Sequence, residues 1–237
     1  MAAEAGFEGV EIMVNKRLET QDAGILKGLS AKHGVPVKCV HAPFLLMNRS
    51  VWGNYAGKIE RSVDLASALG AETVVVHLPY FWHLAYARWL KNEINSFTRC
   101  NGAILAVENA ILINVRNRVN FSFFNDLNGL KMFDHVTFDT SHFAISRVDI
   151  LEAWRELKER VAHVHLSDNR GHGFDDHALP LQGELPLGEF LSALRRDGYA
   201  GLISLELSPR ALESNKPERV VPHLRESLEF CRSHYNG

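Results

Sequence analysis

The sequence predicts an α/β fold, a (β/α) TIM-type barrel with its functional residues at the C-terminal ends of parallel strands. Three observations predict it. Short apolar runs alternate with amphipathic stretches along the chain. The runs are continuous in Val, Ile and Leu, as strands covered on both faces are. One run after another ends in His, Glu or Asp.

In order, the runs are Gly9–Met13, Val35–Ala42, Thr73–Leu78, Ala103–Glu108, Val136–Asp139, Val161–Leu166 and Leu202–Leu207. Between them, Lys58–Leu69 places Ile59, Val63, Leu65, Ala66 and Leu69 on one helical stripe, closed by Gly70 as a C-cap. Leu187–Arg196 and Pro217–Ser233 read as helices in the same way, and Asp149 belongs to the first turn of the helix after the fifth run. Strand–helix alternation implies βαβ units with right-handed crossovers. No linker, low-complexity tract or charge block divides residues 1–237, which read as a single barrel domain. Ser167–Glu184 has no periodicity and follows directly on a strand, and a long structureless loop in a compact domain is usually functional.

Composition excludes several classes. Of the 237 residues 46% are hydrophobic and 23% charged, and the net charge of −2 advertises no large phosphate-binding face. No apolar run approaches the ~18 residues that a membrane span needs. The first residues lack the basic and apolar regions of a signal peptide. Cys39, Cys100 and Cys231 are widely spaced and read as buried reduced thiols of a cytoplasmic protein. Histidine, with twelve copies, is the compositional outlier.

The strand ends carry the chemistry. The second and third runs end at His41 and His77, and the fourth reaches Glu108 and Asn109. The fifth ends at Asp139 with His142 just beyond, the sixth holds His165, and the seventh holds Glu206. In a parallel barrel these ends meet at one rim, which is where active sites lie. A lone strand-end histidine is usually a hydrogen-bonded structural residue. Glu and Asp, however, are almost never buried unless paired or metal-bound. The set therefore reads as a metal centre, against the plainer alternative of a polar mouth without metal. His163, one layer below His165, reads as a core histidine, and His33, His83, His135, His172, His223 and His234 as surface or loop residues.

In order and spacing these motifs resemble the xylose isomerase-like TIM barrel superfamily, from Gly6 to about Pro209. That superfamily includes sugar isomerases and epimerases and the AP endonucleases of the endonuclease IV type. The sugar isomerase branch implies one divalent metal held by Glu108, Asp139, His165 and Glu206, with His142 near the substrate. The expected reaction is proton transfer beside a carbonyl through an enediolate, with Glu108 and Glu206 as acid and base and Mn²⁺ or Mg²⁺ as the metal. Arg170, Asn109 and Glu11 are the candidate substrate contacts, Arg170 for a phosphate or hydroxyl. The endonuclease branch implies three zinc ions on nine ligands, adding His41, His77, His142, Asp175 and His177 to the four. Those enzymes carry a glycine where Leu181 stands. No basic cluster with aromatics marks the rim, so a small sugar, keto-sugar or sugar phosphate is the expected partner and nucleic acid is not. The alternatives are the zinc-dependent phosphodiesterase and a non-catalytic barrel that retains a metal site.

The resemblance also sets an expectation for the barrel's start. In the superfamily a first strand precedes a helix ending in a segment like Ala5–Ile12, which here begins almost at Met1. The expectation is an incomplete barrel of seven strands lacking that first strand, with open edges at Gly9–Met13 and Leu202–Leu207. Open edges invite association. Direct closure, a second copy or other partner in the gap, or a strand supplied from upstream are the three outcomes.

Overall fold

The computed structural model describes residues 1–44, 50–97, 102–111, 113–115 and 117–235. Its strands are β1 (Val10–Met13), β2 (Val37–His41), β3 (Thr73–His77), β4 (Ile104–Glu108), β5 (Ile113–Val115), β6 (Asn117–Val119), β7 (Val136–Asp139), β8 (Val161–Leu166) and β9 (Leu202–Leu205). Seven of them form one parallel sheet in the order β1-β2-β3-β4-β7-β8-β9, a nearly closed barrel. The seven expected runs are these seven strands, with ends that differ by up to two residues. The sequence reading missed the antiparallel β5–β6 hairpin, whose three-residue strands are too short for alternation to register. Cys100 lies outside the described residues, while Cys39 and Cys231 are buried free thiols.

The helices are α1 (Ala2–Ala5), α2 (Ala23–His33), α3 (Tyr55–Leu69), α4 (Leu84–Phe97), α5 (Leu127–Leu130), α6 (Thr140–Ile145), α7 (Ile150–Leu157), α8 (Leu187–Arg196) and α9 (Pro217–Tyr235). Their ends follow local chemistry. Asn54 caps α3 by accepting from the Gly57 amide, and Gly70 ends it at φ 70°, where a side chain would be strained. Asp149 is the N-cap of α7, one position earlier than the first turn, and accepts from the amides of Leu151 and Glu152.

Strand alternation divides the barrel into two environments. Outward residues such as Val74, Val76, Leu105, Val107, Val136, Phe138, Val164 and Leu166 join the helices in the apolar core. Phe138 shows the packing: its ring lies 4.6 Å from Phe143, 5.1 Å from Phe190 and 6.4 Å from Trp154, centroid to centroid. Inward residues form polar layers. The upper holds His41, His77, Glu108, Asp139 and His165, with His77 paired to Glu108 and Asp139 to His165 in register. Beneath them Glu11 pairs in register with Cys39 and Thr137 with His163, while Ser204 pairs with His165.

Among the described residues no ladder joins β1 to β9. A cavity of about 490 Å³ lies between them, lined by Gly9, Val10, Ile203 and Leu205 and by Leu228 and Tyr235 of α9. Side chains span the gap inside: Ser204 Oγ of β9 donates to Glu11 Oε2 of β1 at 2.8 Å. The open edges are thus bridged by a hydrogen bond in place of a strand ladder.

The outer packing holds β7 against the helices that cover it. Phe138→Ala should cost about 3–5 kcal/mol of unfolding free energy, as full truncation of a buried aromatic does. Urea denaturation of the two proteins checks it, and a loss below about 1 kcal/mol would contradict the packing described.

Candidate metal centre

The local fold sets each side chain at the rim. Asp139 ends β7 and is also the N-cap of α6, its Oδ1 accepting from the His142 amide at 2.7 Å. Asn109 clamps the same point: it donates to the Asp139 carbonyl at 3.1 Å and accepts from the Asp139 amide at 2.8 Å. The short α6 turn then carries His142 back to the Asn109 carbonyl, 2.7 Å from Nδ1. The Asp139–His142 spacing is thus a helix start with both side chains turned to the mouth.

At the centre, three carboxylates converge on one imidazole nitrogen. His165 Nδ1 lies 2.7 Å from Glu108 Oε1, 2.7 Å from Glu206 Oε2 and 3.7 Å from Asp139 Oδ2. One donor atom from each of Glu108, Asp139, His165 and Glu206 lies within 4.8 Å of all the others. Asp139 Oδ2 and Glu206 Oε2 are buried without a hydrogen-bonding partner, despite ion-pair distances to Nδ1. Unsatisfied carboxylate oxygens turned toward one point fit a divalent cation with an oxygen-rich shell.

Two further donor sets flank this one. On one side His41, His77 and Glu108 converge, with His41 Nε2 3.6 Å and His77 Nε2 3.5 Å from Glu108 Oε2. On the other, Asp139, His142 and His177 converge. Asp175 links the last two, 2.8 Å from His177 Nε2 and 3.4 Å from His142 Nε2. All nine residues implied by the endonuclease-type resemblance therefore stand in one continuous cluster.

Burial and charge oppose each other here. Burial pushes Asp139 up to about 6, with His142 and His177 pulling it down and Glu206 and Glu108 adding to the rise. Burial alone would raise Glu108 and Glu206, but His165 holds Glu108 well below the usual carboxylate range and Glu206 at about 2. Burial and the neighbouring His41 push His77 down to about 3, so its imidazole is neutral and its unpartnered Nε2 can offer a lone pair. Burial opposes protonation of His177, yet the Asp175 bond and the Asp139 charge raise it to about 9.

The loop after β8 delivers Asp175 and His177. Asp168 organises it: its carboxylate accepts from the amides of Asn169, Gly183 and Leu185, and its backbone pairs with Ala178. A Cβ on Gly183 would meet Asp168 Oδ1 at 2.3 Å and the Asn169 carbonyl at 2.4 Å, so only glycine fits. His177 itself has φ 39°, and Leu181 has φ 69° while 79% exposed. Leu181 thus keeps a glycine-like backbone at the position where the endonucleases carry glycine.

The expected substrate contacts are engaged within the protein. Arg170 reaches Gln182 at 3.3 Å, and both amide groups of Asn109 are used on the Asp139 backbone. Glu11 lies in the layer beneath, bonded to His163, His165 and Ser204. His163 is fully buried; none of His33, His83, His135, His172, His223 and His234 is. Sequence reasoning did not single out Ser141, which donates to Asp175 Oδ1 at 2.8 Å, or Ser167, 3.0 Å from His177 Nδ1. Their position beside named ligands was the available signal. Nor did it find Phe44, 40% exposed, whose ring lies 4.4 Å from that of His77.

Fold and site together define a (β/α) barrel with a carboxylate–imidazole centre at its C-terminal rim. The chain belongs to the xylose isomerase-like TIM barrel family, whose model it matches over residues 1–234. It is similar to an uncharacterised protein of Mycobacterium leprae (strain TN), 34% identical over 258 residues that cover 98% of this chain and 90% of that one. A structure described as a D-tagatose 3-epimerase-like protein superposes with TM-score 0.69 at 25% identity, covering 98% of this chain and 92% of the other. A xylose isomerase domain protein from Alicyclobacillus acidocaldarius superposes with TM-score 0.70 at 20% identity, covering 100% and 92%.

A pH dependence follows for the metal-free chain. His177 is raised in the fold from 6.5 to about 9, so the folded state binds more protons than the unfolded between those values. Its stabilisation is present below about pH 6.5 and lost as pH rises through about 9. The stability difference between the parent chain and Asp175→Asn should be largest near pH 6 and shrink by about pH 10, read from urea midpoints. A difference that grows toward high pH would contradict the pairing.

Proposed function

We propose that the protein is a divalent-metal-dependent isomerase or epimerase of a small sugar, keto-sugar or sugar phosphate. The observation that carries the reading is the pair Glu108 and Glu206, from β4 and the end of β9, each 2.7 Å from the same nitrogen of His165. The likeness to the D-tagatose 3-epimerase-like protein supports it. Glu108, Asp139, His165 and Glu206 would hold the cation; Mn²⁺ or Mg²⁺ suits three carboxylates and one imidazole. When bound it would polarise the substrate carbonyl and favour charge on its oxygen.

The chain's own groups account for the proton movements. Glu108 and Glu206 are held ionised beside each other, so one carboxylate can take the proton from the carbon next to the carbonyl. Once the other carboxylate has taken up a proton from solvent, delivering it to the opposite face inverts that carbon; return of the abstracted proton by the first carboxyl to the neighbouring carbonyl carbon, with the hydroxyl proton passing to the other oxygen, isomerises the sugar. His142 and His177, joined by Asp175, supply donors for substrate hydroxyls at one side of the mouth. Phe44 beside His77 offers an apolar face at the other side. Arg170 is the proposed contact for a terminal hydroxyl or phosphate.

A second reading has a specific observation behind it. The sets His41–His77–Glu108 and Asp139–His142–His177 flank the four-residue centre, so the cluster has donors for more than one zinc ion. Zinc ions so placed would suit phosphodiester hydrolysis, where clustered metals hold the attacking and leaving oxygens.

The test is deuterium exchange. Ketopentoses, ketohexoses and their phosphates are incubated in D₂O with Mn²⁺, and the carbons next to the carbonyl are followed by NMR. Label should enter one such carbon, with epimer or isomer formed. Glu108→Gln and Glu206→Gln should each slow this by about 10²–10⁴-fold while circular dichroism is unchanged. No exchange with any sugar, together with zinc-dependent cleavage of an abasic duplex, would overturn this reading in favour of the second.

A further inference from the structure

Glu11 belongs to β1, yet its carboxylate reaches the ring of His165 on β8, 154 positions along the chain. His165 presents Nδ1 to Glu108, Asp139 and Glu206. Its other nitrogen, Nε2, lies 3.1 Å from Glu11 Oε1 and 3.2 Å from Glu11 Oε2. We propose that Glu11 is the positioning residue of the metal centre, fixing the orientation and tautomer of the His165 ring through Nε2. The proposal rests on the reading of His165 as a metal ligand.

The chemistry requires such a group. To bind a cation through Nδ1, the ring must keep its proton on Nε2. His165 is 1% exposed, so a protein atom has to accept that proton. Glu11 supplies the acceptor, and a carboxylate acceptor also makes the ligand nitrogen more basic. The ring is further confined by stacking on His41, centroids 5.6 Å apart and planes 16° apart, and by an edge contact with His163 at 4.9 Å.

Glu11 is itself anchored. His163 Nε2 donates to Oε2 at 3.0 Å and Ser204 Oγ donates to the same oxygen at 2.8 Å. Glu11 and His163 also approach Cys39 closely enough to suggest a cation position of their own. That role is weaker, because three donors already surround the Glu11 carboxylate. The same residue thus holds the ligand ring and bridges the gap between β1 and β9. Separating the two roles is the task of the experiment.

Affinity for Mn²⁺ and Zn²⁺ is measured on the full chain by competition with a fluorescent chelator. The parent chain, Glu11→Gln, Glu11→Ala and Ser204→Ala are compared, with imidazole ¹H and ¹⁵N shifts recorded in the zinc form. Loss of an outer partner of a ligand histidine typically weakens metal binding about 10- to 100-fold, and Glu11→Ala and Glu11→Gln should fall in that range. In the zinc form the Nε2–H proton of His165 should also move upfield in both variants, since its carboxylate acceptor is gone. Ser204→Ala breaks the β1–β9 bridge and removes one anchor of Glu11, but His163 still holds the carboxylate against His165, so its loss of affinity should be smaller than that of either Glu11 variant. Glu11→Gln is nearly isosteric and carries the test where Glu11→Ala does not fold. Metal binding by the parent chain that is unchanged in Glu11→Gln would overturn the positioning role alone. So would an equal loss in Ser204→Ala, which would trace the effect to the strand gap. Failure of the parent chain to bind either metal would overturn the metal reading, and this proposal with it.

Discussion

Three carboxylates converge at the mouth of this barrel, two of them buried, and the rest of the site is arranged around that fact. Glu108 and Asp139 are essentially inaccessible, and Glu206 joins them from the end of β9. Their ligand atoms lie within 4.8 Å of one another, where two unit charges repel by about 3 kcal/mol or more at an effective dielectric of ~20, so positive charge in their midst is strongly stabilising. In the metal-free chain His165 supplies that charge, held far above the ordinary imidazole value: burial opposes it, but Glu11, Glu206 and Glu108 prevail. A bound dication would take over this role at the same place. The imidazole and the metal thus answer one electrostatic demand.

The outer layer makes the demand possible to meet. Phe138, Phe143, Trp154 and Phe190 pack β7 against α6, α7 and α8, and the backbone ladder between β7 and β8 sets Asp139 beside His165. Asn109 ties β4 to β7 just above, and Glu11 ties β1 to β8 and β9 just below. The loop after β8 adds His177 and Asp175, with Asp168 binding three of its amides. Strain is accepted there: His177 is in the left-handed region at φ 39°, as residues at functional sites often are.

Much of this was legible in the sequence. The seven sheet strands stand out as short runs rich in Val, Ile and Leu, because their outward residues pack into the apolar core beneath the helices. Their C-terminal ends break that pattern with His, Glu or Asp, which is a local signal for a distant convergence. What was not legible depends on tertiary geometry. Glu11 lies inside the short run Gly9–Met13, and nothing local indicates that it meets a histidine 154 positions away. Asn109 reads as a mouth residue from its place after Glu108, but its amide turns to the backbone of Asp139. The β5–β6 hairpin has strands too short to show a period. Leu181 reads as a departure from a glycine position, whereas its backbone has kept the glycine conformation.

The most direct measurement is anomalous diffraction from crystals grown with Mn²⁺, with data on either side of the manganese absorption edge. The account predicts one strong peak enclosed by Glu108, Asp139, His165 and Glu206, with His165 ligating through Nδ1. Absence of a peak between those four side chains, in protein whose fold is intact, would contradict it.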